Sequence, residues 1–166
     1  MKKASLFLLL IFCSFSWAMA SHVYGGEMIY EYLSTNAANN TKKYRITLKL
    51  FRDDDGGGAE LPLEVWIGVF DYGTKQHYPS GMDYHVVQKT SGPISVAVNV
   101  SPCISGDIIA NYTFATYSLE VDLPDNENGY IATYETCCRV NGLENVFHPG
   151  TPAGGSGGTG STYVCK

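Results

Sequence analysis

Charged side chains are scarce in this sequence: Asp, Glu, Lys and Arg together make up 16% of 166 residues. Surface helices are normally covered by such residues, so an all-helical fold is all but excluded. Basic residues are scarcer than acidic ones, 11 against 16, giving a net charge of −5. A chain of that sign gains little from phosphate contacts, which sets nucleic acid aside as a partner. No Cys-x-x-Cys pair occurs, and among His22, His77, His85 and His148 no two stand at i, i+2 or i, i+4. Neither a zinc site nor a histidine acid–base pair is legible. After residue 20 no apolar run approaches the roughly 18–20 residues that span a bilayer, so no transmembrane segment is expected in the mature chain. No stretch of ten residues there keeps apolar positions at helical spacing.

Glycine (18) and tyrosine (12) are abundant instead, a balance that favours strands and turns. The first residues read as an export signal: Met1-Lys2-Lys3 is basic, Ala4 to Trp17 is apolar, and Ala18-Met19-Ala20 is a small-residue cleavage site. The mature chain is therefore expected to begin at Ser21, secreted or at the cell surface. Loss of Lys2 and Lys3 leaves 9 basic residues against 16 acidic, a net charge of −7. The leader also takes Cys13, leaving Cys103, Cys137, Cys138 and Cys165. An even number of cysteines in an oxidising compartment predicts disulfides. Cys137 and Cys138 adjoin on what reads as one strand, so they face opposite ways and bond different partners. Two of the three pairings survive, and a bridge from Cys103 to either closes a loop of about 35 residues, worth ~3–4 kcal/mol.

Alternating polarity recurs over Glu27–Leu33, Tyr44–Arg52, Glu64–Tyr72, Tyr84–Lys89, Ile94–Val100, Tyr112–Leu123 and Tyr130–Val140, about seven strands. In the second, Tyr44, Ile46, Leu48 and Leu50 share one face, the pattern of a strand with one side on the core. In the third, Val65, Ile67 and Val69 alternate with Trp66, Gly68 and Phe70. Both faces are apolar there, and a central strand buried on both sides is the favoured reading over one lying beneath a binding surface. Turn residues at Asn36–Thr41, Asp53–Gly58 and Asn126–Gly129 predict hairpins and sequential antiparallel pairing. The fold class is thus all-β, an antiparallel two-sheet sandwich of immunoglobulin-like type, with a closed barrel as the alternative. Tyr130, entering the last of these strands after Leu123-Pro124, matches the corner tyrosine whose hydroxyl bonds back to the turn. The domain is expected over residues 21–147, after the signal peptide at 1–20. Residues 148–166 form a Gly/Ser-rich segment in which Thr162-Tyr163-Val164 reads as the start of a further strand, the beginning of a continuation.

Gly154–Gly158 formally fits G-x-S-x-G, but no strand precedes it and no helix follows, so it carries no nucleophile. Asp53, Asp54 and Asp55, and separately Asp122 and Asp125, are the candidates for calcium, the one cofactor considered; solvated loops are the favoured reading of both clusters. Asp122, Asp125 and Glu127 lack a surrounding pocket that would make them a glycosidase pair. Trp66 and Phe70 are candidates for an aromatic platform on which a sugar ring stacks, set against plain packing.

Ser21-His22 and Gly25-Gly26-Glu27 after the leader, Tyr44–Leu48 running into Phe51-Arg52-Asp53, Pro102-Cys103, Leu123-Pro124 with Gly129-Tyr130, and Cys137-Cys138-Arg139 form a series. Together they resemble the N-terminal module of large bacterial surface proteins associated with gliding motility. Places where that family carries further cysteines are Tyr32 and Asp54 here. The resemblance implies a non-catalytic β-sandwich at the front of an exported, adhesin-like protein, and brings no catalytic residues. The expected role is a secreted or cell-surface interaction module, not an enzyme, whose partner is a surface polymer, glycan or protein. The alternative is a carbohydrate-binding module built on Trp66 and Phe70.

Overall fold

The computed structural model describes residues 23–55, 60–96, 111–136 and 161–166. They form seven strands: β1 (Val23–Asn36), β2 (Thr41–Asp53), β3 (Glu64–Asp71), β4 (His85–Ser95), β5 (Tyr112–Pro124), β6 (Tyr130–Thr136) and β7 (Ser161–Cys165). In space they run β1-β2-β5-β4-β3-β6-β7, every neighbouring pair antiparallel.

The all-β expectation holds: the seven antiparallel strands form a nearly closed sheet, barrel-like rather than clearly a two-sheet sandwich. The reason lies in β4. Its first part, His85–Gln88, pairs with β3, and from Lys89 to Ser95 it pairs with β5, with register shifts around Ser91. One strand thus carries the sheet around a corner instead of ending at it. Gly92 permits the bend: its φ is +108°, and a Cβ there would stand 2.6 Å from the Phe114 carbonyl oxygen. Only glycine takes that conformation at that distance. Two strands expected over Tyr84–Lys89 and Ile94–Val100 are therefore largely one, and the seventh strand is β7, in the segment expected to follow the domain.

Sequential antiparallel pairing holds for β1–β2, β3–β4, β4–β5 and β6–β7 and fails at the other two connections. Asn36↔Thr41 closes the expected β1–β2 hairpin, but Asp53–Gly58 and Asn126–Gly129 do not close hairpins. β2 pairs with β5 and β3 with β6, so both connections cross between the two halves of the barrel. Turn residues reverse a chain without selecting the strand that receives it.

Seven is odd, and an odd number of antiparallel strands leaves the outermost two, β1 and β7, running the same way. They approach closely, since a Cβ on Gly26 would lie 2.9 Å from the Tyr163 ring. Among the described residues no ladder joins them. Inside the barrel, alternation sets the core: Ile46, Leu48 and Leu50 of β2, Val65, Ile67 and Val69 of β3, and Ala115, Tyr117, Val121 and Leu123 of β5 are buried. The buried Tyr117 hydroxyl donates to the Pro62 carbonyl at 2.6 Å. The corner expected at Tyr130 is present, its hydroxyl donating to the Pro124 carbonyl at 3.2 Å.

Candidate ligand-binding face

The reading of β3 as buried on both sides is not what the structure shows. β3 is central, flanked by β4 and β6, yet Trp66 is 56% exposed. A barrel wall is one layer thick, so the outward side chain of even a central strand is left open where no neighbouring loop residue folds over it, as at Trp66.

On that face Trp66 lies opposite Val86 of β4, and Tyr84, two residues earlier, falls on the same side. The Trp66 and Tyr84 rings stack at 4.9 Å with an interplanar angle of 17°, and Tyr84 and Val86 are exposed as well. At one end Gln88 donates through Nε2 to Glu64 Oε2 at 2.8 Å. These two side chains put an amide and a carboxylate beside the flat aromatic surface. Phe70 takes a different role. It folds over Gly68, where an added Cβ would stand 2.7 Å from its ring, and packs on His77 with centroids 4.3 Å apart. The platform is thus Trp66 with Tyr84, and Phe70 borders it. Tyr84 was missed in the sequence, although its spacing from Val86 on an alternating strand was a usable signal.

The acidic candidates are spread among separate partners. Asp53 accepts from the Asp55 backbone N–H at 3.0 Å, Asp54 from the Thr113 hydroxyl at 3.2 Å, and Asp55 from the Asn111 side-chain amide at 2.8 Å. Asp125 pairs with Lys42 at 2.6 Å, whereas Asp122 is exposed on β5, opposite Lys43. Among the described residues no three His, Cys, Asp or Glu side chains gather at metal-binding distance, and no helix is long and apolar enough to cross a membrane. Asp71 is an acid placed by structure: the Thr74 backbone N–H, with help from the Asn126 amide, holds its carboxyl below the usual range.

Of the cysteines, Cys103, Cys137 and Cys138 lie outside the described residues. Cys165 is a half-buried thiol, raised in pKa by burial. It stands opposite Ala132, while Ser161 stands opposite Thr136. Cys165 is thus four residues, about 13 Å, along the sheet from the point where β6 ends.

A second feature lies at one end of the seam between β1 and β7. There a cavity of about 240 Å³ opens between Tyr30, Tyr44 and Ile46 on one wall and Val69, Ala132 and Cys165 on the other. The Tyr30 and Tyr32 rings meet Tyr44 edge-on, at 6.1 and 5.8 Å.

Set against family models, curated proteins and solved structures, the chain finds no match in any of the three.

Proposed function

We propose that this chain is a non-catalytic binding module, secreted or held at the cell surface, that engages a surface polymer, glycan or protein through the outer face of β3 and β4. The observation that carries the reading is the exposed Trp66–Tyr84 stack. Trp66, Tyr84 and Val86 together form a contiguous exposed apolar patch, the kind of surface that marks an interaction site. The flatness of the two rings, with the Glu64–Gln88 pair alongside, favours a sugar ring: its C–H face lies on the indole and its hydroxyls reach amide and carboxylate. Export rests on the leader at residues 1–20. The resemblance to the front module of gliding-associated surface proteins agrees with both. In this reading the two halves that share β4 correspond to the two sheets of an immunoglobulin-like sandwich, drawn together into a barrel.

The test uses the mature chain. Beyond residue 20, Trp66 is the one tryptophan, so intrinsic tryptophan fluorescence reports this face alone. Soluble β-glucan, chitin oligosaccharides and bacterial surface polysaccharide are titrated by fluorescence into wild type and by isothermal calorimetry into wild type and Trp66→Ala, which has no tryptophan left to report. A saturable fluorescence change, with binding lost in a variant whose melting temperature is unchanged, is expected. Binding that survives Trp66→Ala, or no response to any member of the panel, overturns the carbohydrate reading.

A further inference from the structure

The charges around the Trp66–Tyr84 stack narrow what it binds. On the wall formed by β1, β2 and β5, acids are answered by bases: Glu27 meets Lys49 at 2.6 Å, and Glu31 and Glu120 meet Arg45 at 3.3 and 2.7 Å. The wall around Trp66 is built differently. Outward positions on β3, β6 and the part of β4 that pairs with β3 are those alternating with the buried residues, and the charged ones among them are Glu64 and Glu135, both exposed. Glu64 accepts from the Gln88 amide, which is neutral and leaves the charge uncompensated. Glu135 stands one residue past the Ile67↔Tyr134 pair, as Trp66 does, which sets it beside Trp66 on the next strand. Asp83, exposed and adjoining Tyr84 in the chain, is a third acid.

Among the described residues none of these three acids makes an ion pair. Lysines in the neighbouring segments are engaged elsewhere: Lys89 sends its ammonium to the Leu61 carbonyl at 3.4 Å, and Lys75 lies over the Tyr72 ring at 3.5 Å. An open indole with uncompensated carboxylates beside it favours a cation, because the ring face and the acids attract the same charge. A neutral ring leaves the carboxylates as they are, and an acidic one is repelled. Spacing agrees with this. Glu64 lies ~7 Å from Trp66 along β3 and Glu135 ~5 Å across to β6, so each reaches a substituent of a ring centred over the indole. The acidic balance of the whole chain, 16 against 11, draws a cation from further away.

We propose that the sugar stacked on Trp66 carries a free, protonated amine held by Glu64 and Glu135, so that the ligand is a cationic glycan of de-N-acetylated amino sugars. The assignment rests on the carbohydrate reading of this face and adds charge selectivity to it.

The experiment titrates chitosan and chitin oligosaccharides of equal length into the mature chain, followed by Trp66 fluorescence. It is run at low salt and about pH 6, where a sugar amine is protonated and glutamate ionised. The chitosan oligosaccharide should bind about fivefold more tightly, the effect of one to two exposed ion pairs. Glu64→Gln/Glu135→Gln should abolish the preference while still binding the chitin oligosaccharide. Asp122→Asn/Glu127→Gln, the same change of charge in exposed residues of another part of the surface, should keep it. Should the first double variant not fold, Glu135→Gln alone decides, by losing part of the preference. Equal binding of the two oligosaccharides, a preference that survives Glu64→Gln/Glu135→Gln, or one lost equally in both double variants overturns the amine assignment and leaves the carbohydrate reading standing. Absence of binding to both overturns the assignment as well, and the carbohydrate reading then depends on the other polysaccharides of the panel.

Discussion

Replacing Tyr117 by Phe tests the account of the core in a way that a single stability measurement does not. Tyr117 is fully buried on β5 and its hydroxyl donates to the Pro62 carbonyl at 2.6 Å. At pH 7 the substitution removes that bond and leaves the ring in place, at a cost of about 1 kcal/mol. Burial, with a smaller contribution from Tyr134, pushes the Tyr117 hydroxyl up to about 12 from an ordinary value of 10.0. The unfolded chain therefore loses this proton first as pH rises. The stability tied to the neutral phenol is complete below pH 10 and is lost as pH climbs through the folded value. Two pKa units correspond to about 2.7 kcal/mol at most. Wild type is thus the more stable protein at neutral pH, and the variant becomes the more stable one above about pH 11, where the 1 kcal/mol advantage is spent. Urea unfolding of both proteins, followed by circular dichroism at intervals from pH 7 to pH 12, gives the two curves. Curves that stay parallel across the range would refute a buried, hydrogen-bonded phenol at this position.

Three further substitutions probe the framework. Leu48→Ala empties a fully buried position on β2 and should cost about 2–5 kcal/mol, read as a lower urea midpoint with unchanged slope. Gly92→Ala should cost about 2–4 kcal/mol, because strain at positive φ adds to a backbone clash. Gly81→Ala, where φ is +87° and the space is open, should cost about 1 kcal/mol; similar losses at the two sites would argue against the clash. The Trp66→Ala titration completes the set.

Much of the local structure is legible in the sequence. The period-two pattern of Tyr44, Ile46, Leu48 and Leu50 marked the inward face of β2, and the turn ahead of Tyr130 identified its corner hydrogen bond. Both depend on residues near one another in the chain. The order of the strands does not. Asp53–Gly58 has the composition of a hairpin turn, yet β2 goes to β5 and β3 to β6, choices made by how two apolar faces close on one core. Alternation also told which way Trp66 pointed, but not whether a second layer lay over it. That depended on β4 bending at Gly92 to make one curled wall. The Trp66–Tyr84 pair depends on the β3–β4 register, and the seam cavity on strands from opposite ends of the chain. Neither is written in any short stretch.

The odd number of strands among the described residues bears on how they would carry tension. Because β1 and β7 run in the same direction along neighbouring flanks, Val23 and Cys165 lie towards opposite ends of the strand axis. A pull applied between them acts along the strands rather than across them. β1 would have to slide past β2 over a register extending from Val23↔Arg52 to Asn36↔Thr41, so its backbone bonds are loaded together in shear instead of being peeled one after another. A load applied in that direction meets high mechanical resistance, whatever the thermodynamic stability of the fold.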